Sequence, residues 1–133
     1  MAGSEEREYP WGQWDKYPRA NTTEAGIQGR STAVGMYAHG AAVCGALDMA
    51  GNLWEWCLND YGNPSIIDGY NNGKSKVLRG GSFNFSQRNA ASSSRNDVNP
   101  YSDYNNFGLR LVVAAPIASL MNISSPNAES GER

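Results

Sequence analysis

Apolar residues in this 133-residue chain are gathered into a few short blocks that are separated by long polar stretches. The densest blocks are residues 53–58 (LWEWCL), 77–83 (VLRGGSF) and 109–114 (LRLVVA). Short apolar runs bounded by turn residues are typical of buried strands, so we expect these three blocks to form the central strands of a sheet. In the first of them we expect Trp54 and Trp56 to project from opposite faces.

The remaining blocks predict little regular structure. Residues 9–14 (YPWGQW) combine three aromatic rings with a proline, which favours a packed irregular segment. Residues 32–37 (TAVGMY) are expected to be a short extended piece, whereas 21–31 and 59–75 have the glycine and asparagine content of loops. Gly51 and Asn52 form a pair that favours a tight turn.

One stretch, residues 84–107, differs from everything around it. Of its 24 positions six are Asn and five are Ser, and none is Lys, Glu, Gly or Leu. Such a segment has too little to bury to form a core strand or an amphipathic helix, so it must be a surface held by its ends. A disordered Asn/Ser-rich linker is the alternative, but strand-like blocks on both sides favour an ordered surface of the kind used for binding.

Composition and charge exclude several classes of function. A net charge of −2 argues against nucleic acid as a partner. No run approaches the about 20 apolar residues of a membrane span, and the charged N-terminus is unlike a signal peptide, so we expect a cytoplasmic or phage-borne protein without membrane insertion. The two cysteines, Cys44 and Cys57, are expected to be buried thiols, with a disulfide between them as the alternative.

Several blocks together resemble the formylglycine-generating, sulfatase-modifying enzyme family. The matching motifs are YPWG, RAN, AVG, DMAGNLWEW, RGGSF and GLRL, at residues 9–12, 19–21, 33–35, 48–56, 79–83 and 108–111. This resemblance implies an α+β chain with a minimal variant of the C-type lectin-like fold. We expect a disordered N-terminus over residues 1–8, one domain over 9–115 and a tail over 116–133.

The segment between the last two motifs also resembles the variable region of diversity-generating retroelement proteins. In those systems the adenines of Asn codons are randomised, and an AAY codon changed at its first two positions cannot give Lys, Glu, Gln, Met or Trp. Of residues 84–107, only Gln87 lies outside the reachable set. The family's enzymes carry a metal-binding cysteine pair in this stretch, and here it contains no cysteine.

This second resemblance implies a ligand-binding protein and not an enzyme. We expect its ligand to be a macromolecule, namely another protein, and we expect this chain to be a monomer. The alternative is a truncated formylglycine-generating enzyme or a non-catalytic subunit of one. The expected ligand-binding, variable residues are Asn84, Phe85, Ser86, Arg88, Ser94, Asn96, Asp97, Val98, Tyr101, Ser102, Asp103, Tyr104, Asn105, Asn106 and Phe107.

No cofactor is expected apart from a structural calcium ion. By resemblance to the enzymes, its ligands would be the carbonyls of Gly51 and Leu53 and the carboxylate of Glu55, an oxygen set that suits a hard cation. For Glu55, a hydrogen bond inside the core is favoured over binding of calcium. For Arg79 and Arg110, hydrogen bonds to the framework are favoured over contacts with a ligand.

Overall fold

A four-stranded sheet organises the computed structural model, which describes residues 6–25, 29–67 and 73–113. Its strands are β1 (Trp54–Asp60), β2 (Lys76–Arg79), β3 (Asn96–Val98) and β4 (Phe107–Gly108), in the order β3-β2-β1-β4. β2 is antiparallel to β1 and β3, and β4 is parallel to β1. The two predicted strands at 53–58 and 77–83 are therefore present, with the second ending early at Arg79.

Helical structure in the described residues is limited to short turns. One α-helical turn, α1 (Gln87–Ala90), lies within the polar segment, and 3-10 turns cover Thr23–Ala25 and Ala38–Gly40. Within the described residues no helix reaches the length and apolar character needed to cross a bilayer.

Two sequence-based expectations about strands were wrong. Residues 109–113 are not a central strand, because the pairing with β1 ends at Gly108 and the aliphatic side chains that follow are exposed. Residues 34–37 form turns, so the extended piece expected over 32–37 is absent. There Gly35 has a φ of 81°, and its amide donates to Asp48 Oδ2 at 2.6 Å.

The two tryptophans of β1 share a face of the sheet, and the expectation of opposite faces was also wrong. Trp56 packs edge-on against Phe107, with ring centroids 5.6 Å apart. Phe107 is the residue paired with Trp54 across the β1–β4 ladder, and directly paired residues share a face. Residues two apart in a strand return to the same side, so Trp54 and Trp56 both face the polar segment's aromatic rings.

The core is small and partly aromatic. Trp54 and Leu78 are almost fully buried, and Tyr9 packs within 5.0–5.4 Å of the rings of Trp11 and Trp14. The aromatic segment 9–14 is thus packed and irregular, as its sequence predicts. Its neighbour Glu8 accepts a backbone hydrogen bond from Ser92, so Glu8 belongs with the domain that we expected to begin at Tyr9.

An ion pair is buried beneath the sheet. Lys76 Nζ lies 2.6 Å from Asp60 Oδ1, and both side chains are at most 2% exposed. Burying a charge without a partner is costly in stability, so each of the two side chains requires the other. Because Asp60 ends β1 and Lys76 begins β2, the pair also joins these two strands.

Candidate functional site

Residues 84–107, which we call the polar segment, lie along one side of the sheet. The segment leaves the framework after Phe83, forms α1, adds β3 to the edge of β2, and returns to the sheet at Phe107 in β4. A disordered linker would not pair with the sheet, so the ordered alternative is the one that the structure adopts. Three sets of hydrogen bonds hold it in place.

The first set is a clamp made by Arg79, at the end of β2. Its guanidinium donates to the backbone carbonyls of Ser92, Ser93 and Ser94, at 3.2 Å in the case of Ser93. The planar guanidinium presents several donors in a fixed arrangement and is suited to bridging neighbouring carbonyls. The framework role expected for Arg79 is therefore observed.

A second set joins the two ends of the polar segment. Asn106 is only 6% exposed, and its Nδ2 donates to Ser82 Oγ at 3.2 Å and to Asn84 Oδ1 at 3.1 Å. Ser82 Oγ in turn donates to Asn84 Oδ1 at 2.8 Å, and the Asn106 carbonyl accepts from the Trp54 amide at 2.9 Å. The side chain of Asn106, which we expected at the binding surface, thus makes structural contacts inside the protein.

The third set comes from Glu24, which lies 63 residues away from its partner in sequence. Both carboxylate oxygens accept from the Gln87 amide at 3.0 Å, at the start of α1, and the nearby Thr23 amide donates to the Phe85 carbonyl at 3.1 Å. Partial burial alone would raise the pKa of Glu24, but the hydrogen bonds that its carboxylate accepts, first of all from the Gln87 amide, outweigh it and the net pKa is lowered. Sequence reasoning missed this contact, because nothing local marks two loops so far apart as neighbours.

Between these anchors the surface contains a cleft of about 330 Å³. Its described lining is Trp54 from β1 together with eight residues of the polar segment: Asn84, Phe85, Asn96, Val98, Tyr104, Asn105, Asn106 and Phe107. All eight are among the residues that the sequence predicted for ligand binding. None of the described lining residues carries a charge.

Aromatic rings form one part of the cleft and amides the other. Trp54 and Phe85 meet edge to face with centroids 5.8 Å apart, and Tyr104 meets Phe107 in the same way at 5.0 Å. Such contacts fix the ring positions, since edge-to-face pairs contribute about 0.5–1.5 kcal/mol beyond their burial. The cleft therefore offers preformed apolar contact beside amide donors and acceptors. Sequence reasoning assigned Trp54 to the core and missed that its ring also lines this cleft.

Other predicted residues lie outside the cleft. Tyr101 is 78% exposed on a turn in which its amide donates to Asn99 Oδ1 at 2.9 Å. Arg88, Asp97 and Asp103 are exposed, whereas the remaining three are half-buried: Ser86, Ser94 and Ser102. The structure thus brings eight of the fifteen predicted residues together in the cleft and leaves seven outside it.

The cysteines do not form a bond to each other. Both are free thiols, Cys44 being exposed and Cys57 half-buried, so the expectation of a buried thiol was wrong for Cys44. Cys57 lines a second cleft of about 360 Å³, next to Arg79 and Arg110. Burial raises the pKa of the Cys57 thiol, which keeps it protonated near neutral pH.

The surroundings of Glu55 do not fit a calcium ion. Its carboxylate accepts from Arg110 Nε at 2.9 and 3.1 Å, and Arg110 Nη2 lies 2.5 Å from the same group. A guanidinium against both oxygens would repel a divalent cation. Among the described residues, no three His, Cys, Asp or Glu side chains are grouped so that they could hold a metal ion. The calcium site that includes Gly51, Leu53 and Glu55 stays a prediction, which this ion pair argues against.

Comparison with known proteins places these features in context. A family model described as the sulfatase-modifying factor enzyme 1-like domain matches residues 1–115. Among solved structures, Treponema denticola variable protein 1 superposes with a TM-score of 0.64 at 20% identity, covering 81% of this chain and 41% of that one. The fold is therefore the C-type lectin-like fold expected from the sequence.

Similar sequences include two hercynine oxygenases. The protein of Mycolicibacterium thermoresistibile is 36% identical over 92 residues, or 58% of this chain, and that of Mycobacterium tuberculosis is 33% identical over 117 residues, or 79% of this chain. This chain spans only 20% and 27% of those two relatives.

Proposed function

Within the sulfatase-modifying factor enzyme 1-like family, to which this chain belongs, we propose that it is a binding protein whose polar segment is diversified by a retroelement. The lectin-like framework supplies a fixed backbone, and the side chains of residues 84–107 supply recognition. The proposed function is binding without catalysis.

The observation that carries the proposal is the composition of the uncharged cleft. Eight of its nine described lining residues come from the polar segment, and the ninth, Trp54, is a buried framework residue. Every one of the eight belongs to the set that an Asn codon reaches by changes at its two adenines. A mutagenic process with that outcome would therefore alter almost the whole lining of the cleft while leaving the strand beneath it intact.

The chemistry of the surface favours a protein as the ligand. Tyrosine side chains such as Tyr101 and Tyr104 offer large contact areas at low entropic cost, and asparagine and serine adapt their hydrogen bonds to a partner. A net charge of −2 gives no field that would attract nucleic acid.

Flanking DNA provides the direct test of diversification. We expect a reverse transcriptase gene nearby, together with a near-copy of codons 79–110 that differs from them at adenines of the copy. Neighbouring DNA that contains neither would refute the retroelement part of the proposal.

The binding part is tested with a library displayed on phage or yeast. Residues Asp97, Tyr101, Asp103, Tyr104 and Asn105 are randomised with NNY codons, and binders are selected against several purified proteins. We expect specific binders that share the parent's fold. A matched library at five exposed framework positions, Val34, Met36, Val43, Leu58 and Ile67, should give none, and equal yields from both libraries would contradict a dedicated binding surface.

A second candidate function, an oxygenase or formylglycine-generating enzyme fragment, is favoured by the names of the similar sequences. Oxygen activation at copper by a thiolate pair needs two thiolates at one ion, but Cys44 is exposed and Cys57 lines a cleft as a protonated thiol. We therefore expect no turnover of a sulfatase-type cysteine peptide with copper in air, nor of hercynine with a series of transition metals. Product detected by mass spectrometry and abolished by Cys44→Ser or Cys57→Ser would support the enzyme instead.

A further inference from the structure

Among the residues that the structure describes, the sheet ends in an apolar edge without a pairing strand. β4 is the outermost strand next to β1, and its pairing stops at Gly108. Within the described parts of the chain, residues 110–113 make no backbone hydrogen bond to another backbone group. Leu109, Leu111, Val112 and Val113 are 69%, 88%, 78% and 101% exposed.

This edge differs from an ordinary exposed loop in its sequence. Leucine and β-branched valine favour strands, and the segment contains no glycine or proline to prevent pairing. Natural proteins usually protect such edges with charges, bulges or a covering element, because unpaired strands associate with other strands. We propose that residues 109–113, here called the LRLVV edge, pair antiparallel with the same residues of a second copy of this chain.

The register follows from the sequence of the edge. Centring the two-fold axis on Leu111 places Leu111 opposite its own copy, Leu109 opposite Val113, and Arg110 opposite Val112. Directly opposed residues lie on the same face, so the leucines and Val113 of both copies form one continuous apolar row. Centring the axis on Arg110 would instead oppose two like charges, which is unfavourable.

Charge does not oppose this arrangement. Arg110 is the one charged residue of the edge, and it is neutralised within its own copy by Glu55, whose carboxylate it contacts at 2.5–3.1 Å. A hydrogen bond from Arg110 to the Asp48 carbonyl at 3.0 Å holds the guanidinium against the framework. The pairing surface therefore presents aliphatic side chains and free backbone groups without net charge.

The size of the contact predicts a weak dimer, in contrast to the monomer expected from the sequence. Five residues of backbone and four aliphatic side chains from each copy give an interface on the order of 1,000 Å² in total, at the low end for specific complexes. Such a dimer would carry two binding surfaces, so that a repetitive ligand would be bound more tightly than by one copy alone.

The test is sedimentation equilibrium of the full chain over a range from low micromolar to submillimolar concentration. We expect the average mass to rise from 14.4 kDa toward twice that value as concentration increases. Leu111→Lys and Leu111→Glu, each alone, should remain at the monomer mass because like charges would meet on the two-fold axis. An equimolar mixture of the two variants should recover the dimer, since opposite charges then face each other.

Val43→Lys is the matched control, because it places the same charge on an exposed aliphatic residue that is not part of the LRLVV edge, and it should dimerise like the parent. A parent that stays monomeric throughout, or a mixture of the two Leu111 variants that fails to associate, would overturn the proposal. Hydrogen exchange of the Leu111 amide distinguishes pairing between two copies from pairing within one copy. If that amide is protected equally at all protein concentrations, the edge is covered within one copy and the proposal is wrong.

Discussion

Substituting Asn106 tests which residues of the polar segment stabilise the fold and which are available to bind a ligand. The perturbations are the single change Asn106→Ala and the triple change Asp97→Asn, Tyr101→Ser and Asp103→Asn. All three residues of the triple variant are exposed, Tyr101 by 78%, whereas Asn106 is 6% exposed. If all of these side chains served only recognition, the triple variant, with three changes, should be at least as destabilised as the single one. If Asn106 is a buried structural residue, the single variant should be the less stable of the two.

The structure gives the magnitudes. Asn106→Ala removes two hydrogen bonds from Nδ2, worth about 1 kcal/mol each, and leaves the fully buried Ser82 with one partner fewer, so we expect a loss of about 2–3 kcal/mol. Exposed substitutions usually change stability by no more than about 0.5 kcal/mol each, which limits the triple variant to about 1.5 kcal/mol.

Urea unfolding followed by far-UV circular dichroism measures both losses. With a slope of about 1–3 kcal/mol per molar urea, the midpoint of Asn106→Ala should fall by about 0.7–3 M, and that of the triple variant should fall by less at the same slope. Near-UV spectra of the folded baselines control for unintended changes in packing. The reasoning would be refuted by a triple variant that is less stable than Asn106→Ala.

Three further predictions concern the framework. Trp54→Ala should cost about 3–5 kcal/mol, since the side chain is 1% exposed, and a soluble variant that unfolds with the parent's midpoint would contradict its place in the core. Lys76→Met should cost about 3–5 kcal/mol in the same assay because the buried carboxylate of Asp60 loses its partner at 2.6 Å while Lys74 stays 3.9 Å away, and the double variant with Asp60→Leu should recover much of that loss; a double variant no better than the single would disprove the role of the pair. Because the folded-state pKa of Glu24 is lowered, its stabilisation is present above the unfolded pKa and is lost as pH falls through the folded pKa, so the Gln87 amide should exchange faster in acid relative to the intrinsic rate. Glu24→Gln should abolish that pH dependence, and an unchanged profile would show that another group is responsible.

Residue types and their order predicted the frame of this protein well. The aromatic block at 53–58 predicted a buried strand, and β1 is found at Trp54–Asp60, although only its two end residues are buried and Leu58 is 58% exposed. The eight cleft residues lie in the segment that was expected to be surface because it is so poor in aliphatics, although one of them, Asn106, is buried. These features follow from what a residue type can bury.

What the sequence did not predict depends on partners that are distant along the chain. Asparagine serves equally as an exposed amide and as a buried one, and only the position of Ser82 decides that Asn106 is buried. Leu109 and Leu111 have the composition of a core strand, but a strand also needs a neighbour, and the ladder ends at Gly108. Likewise the contact between Glu24 and Gln87 has no local signature in either loop.

The Arg79 clamp has a consequence for how such a protein can evolve. Its three acceptors are main-chain carbonyls, which every amino acid possesses, proline included. Replacing Ser92, Ser93 or Ser94 therefore leaves the acceptor atoms in existence whatever the new side chain is. Chains that differ at these three positions would therefore keep the same backbone course there. Substitutions at these positions would change what each chain recognises and not whether it folds.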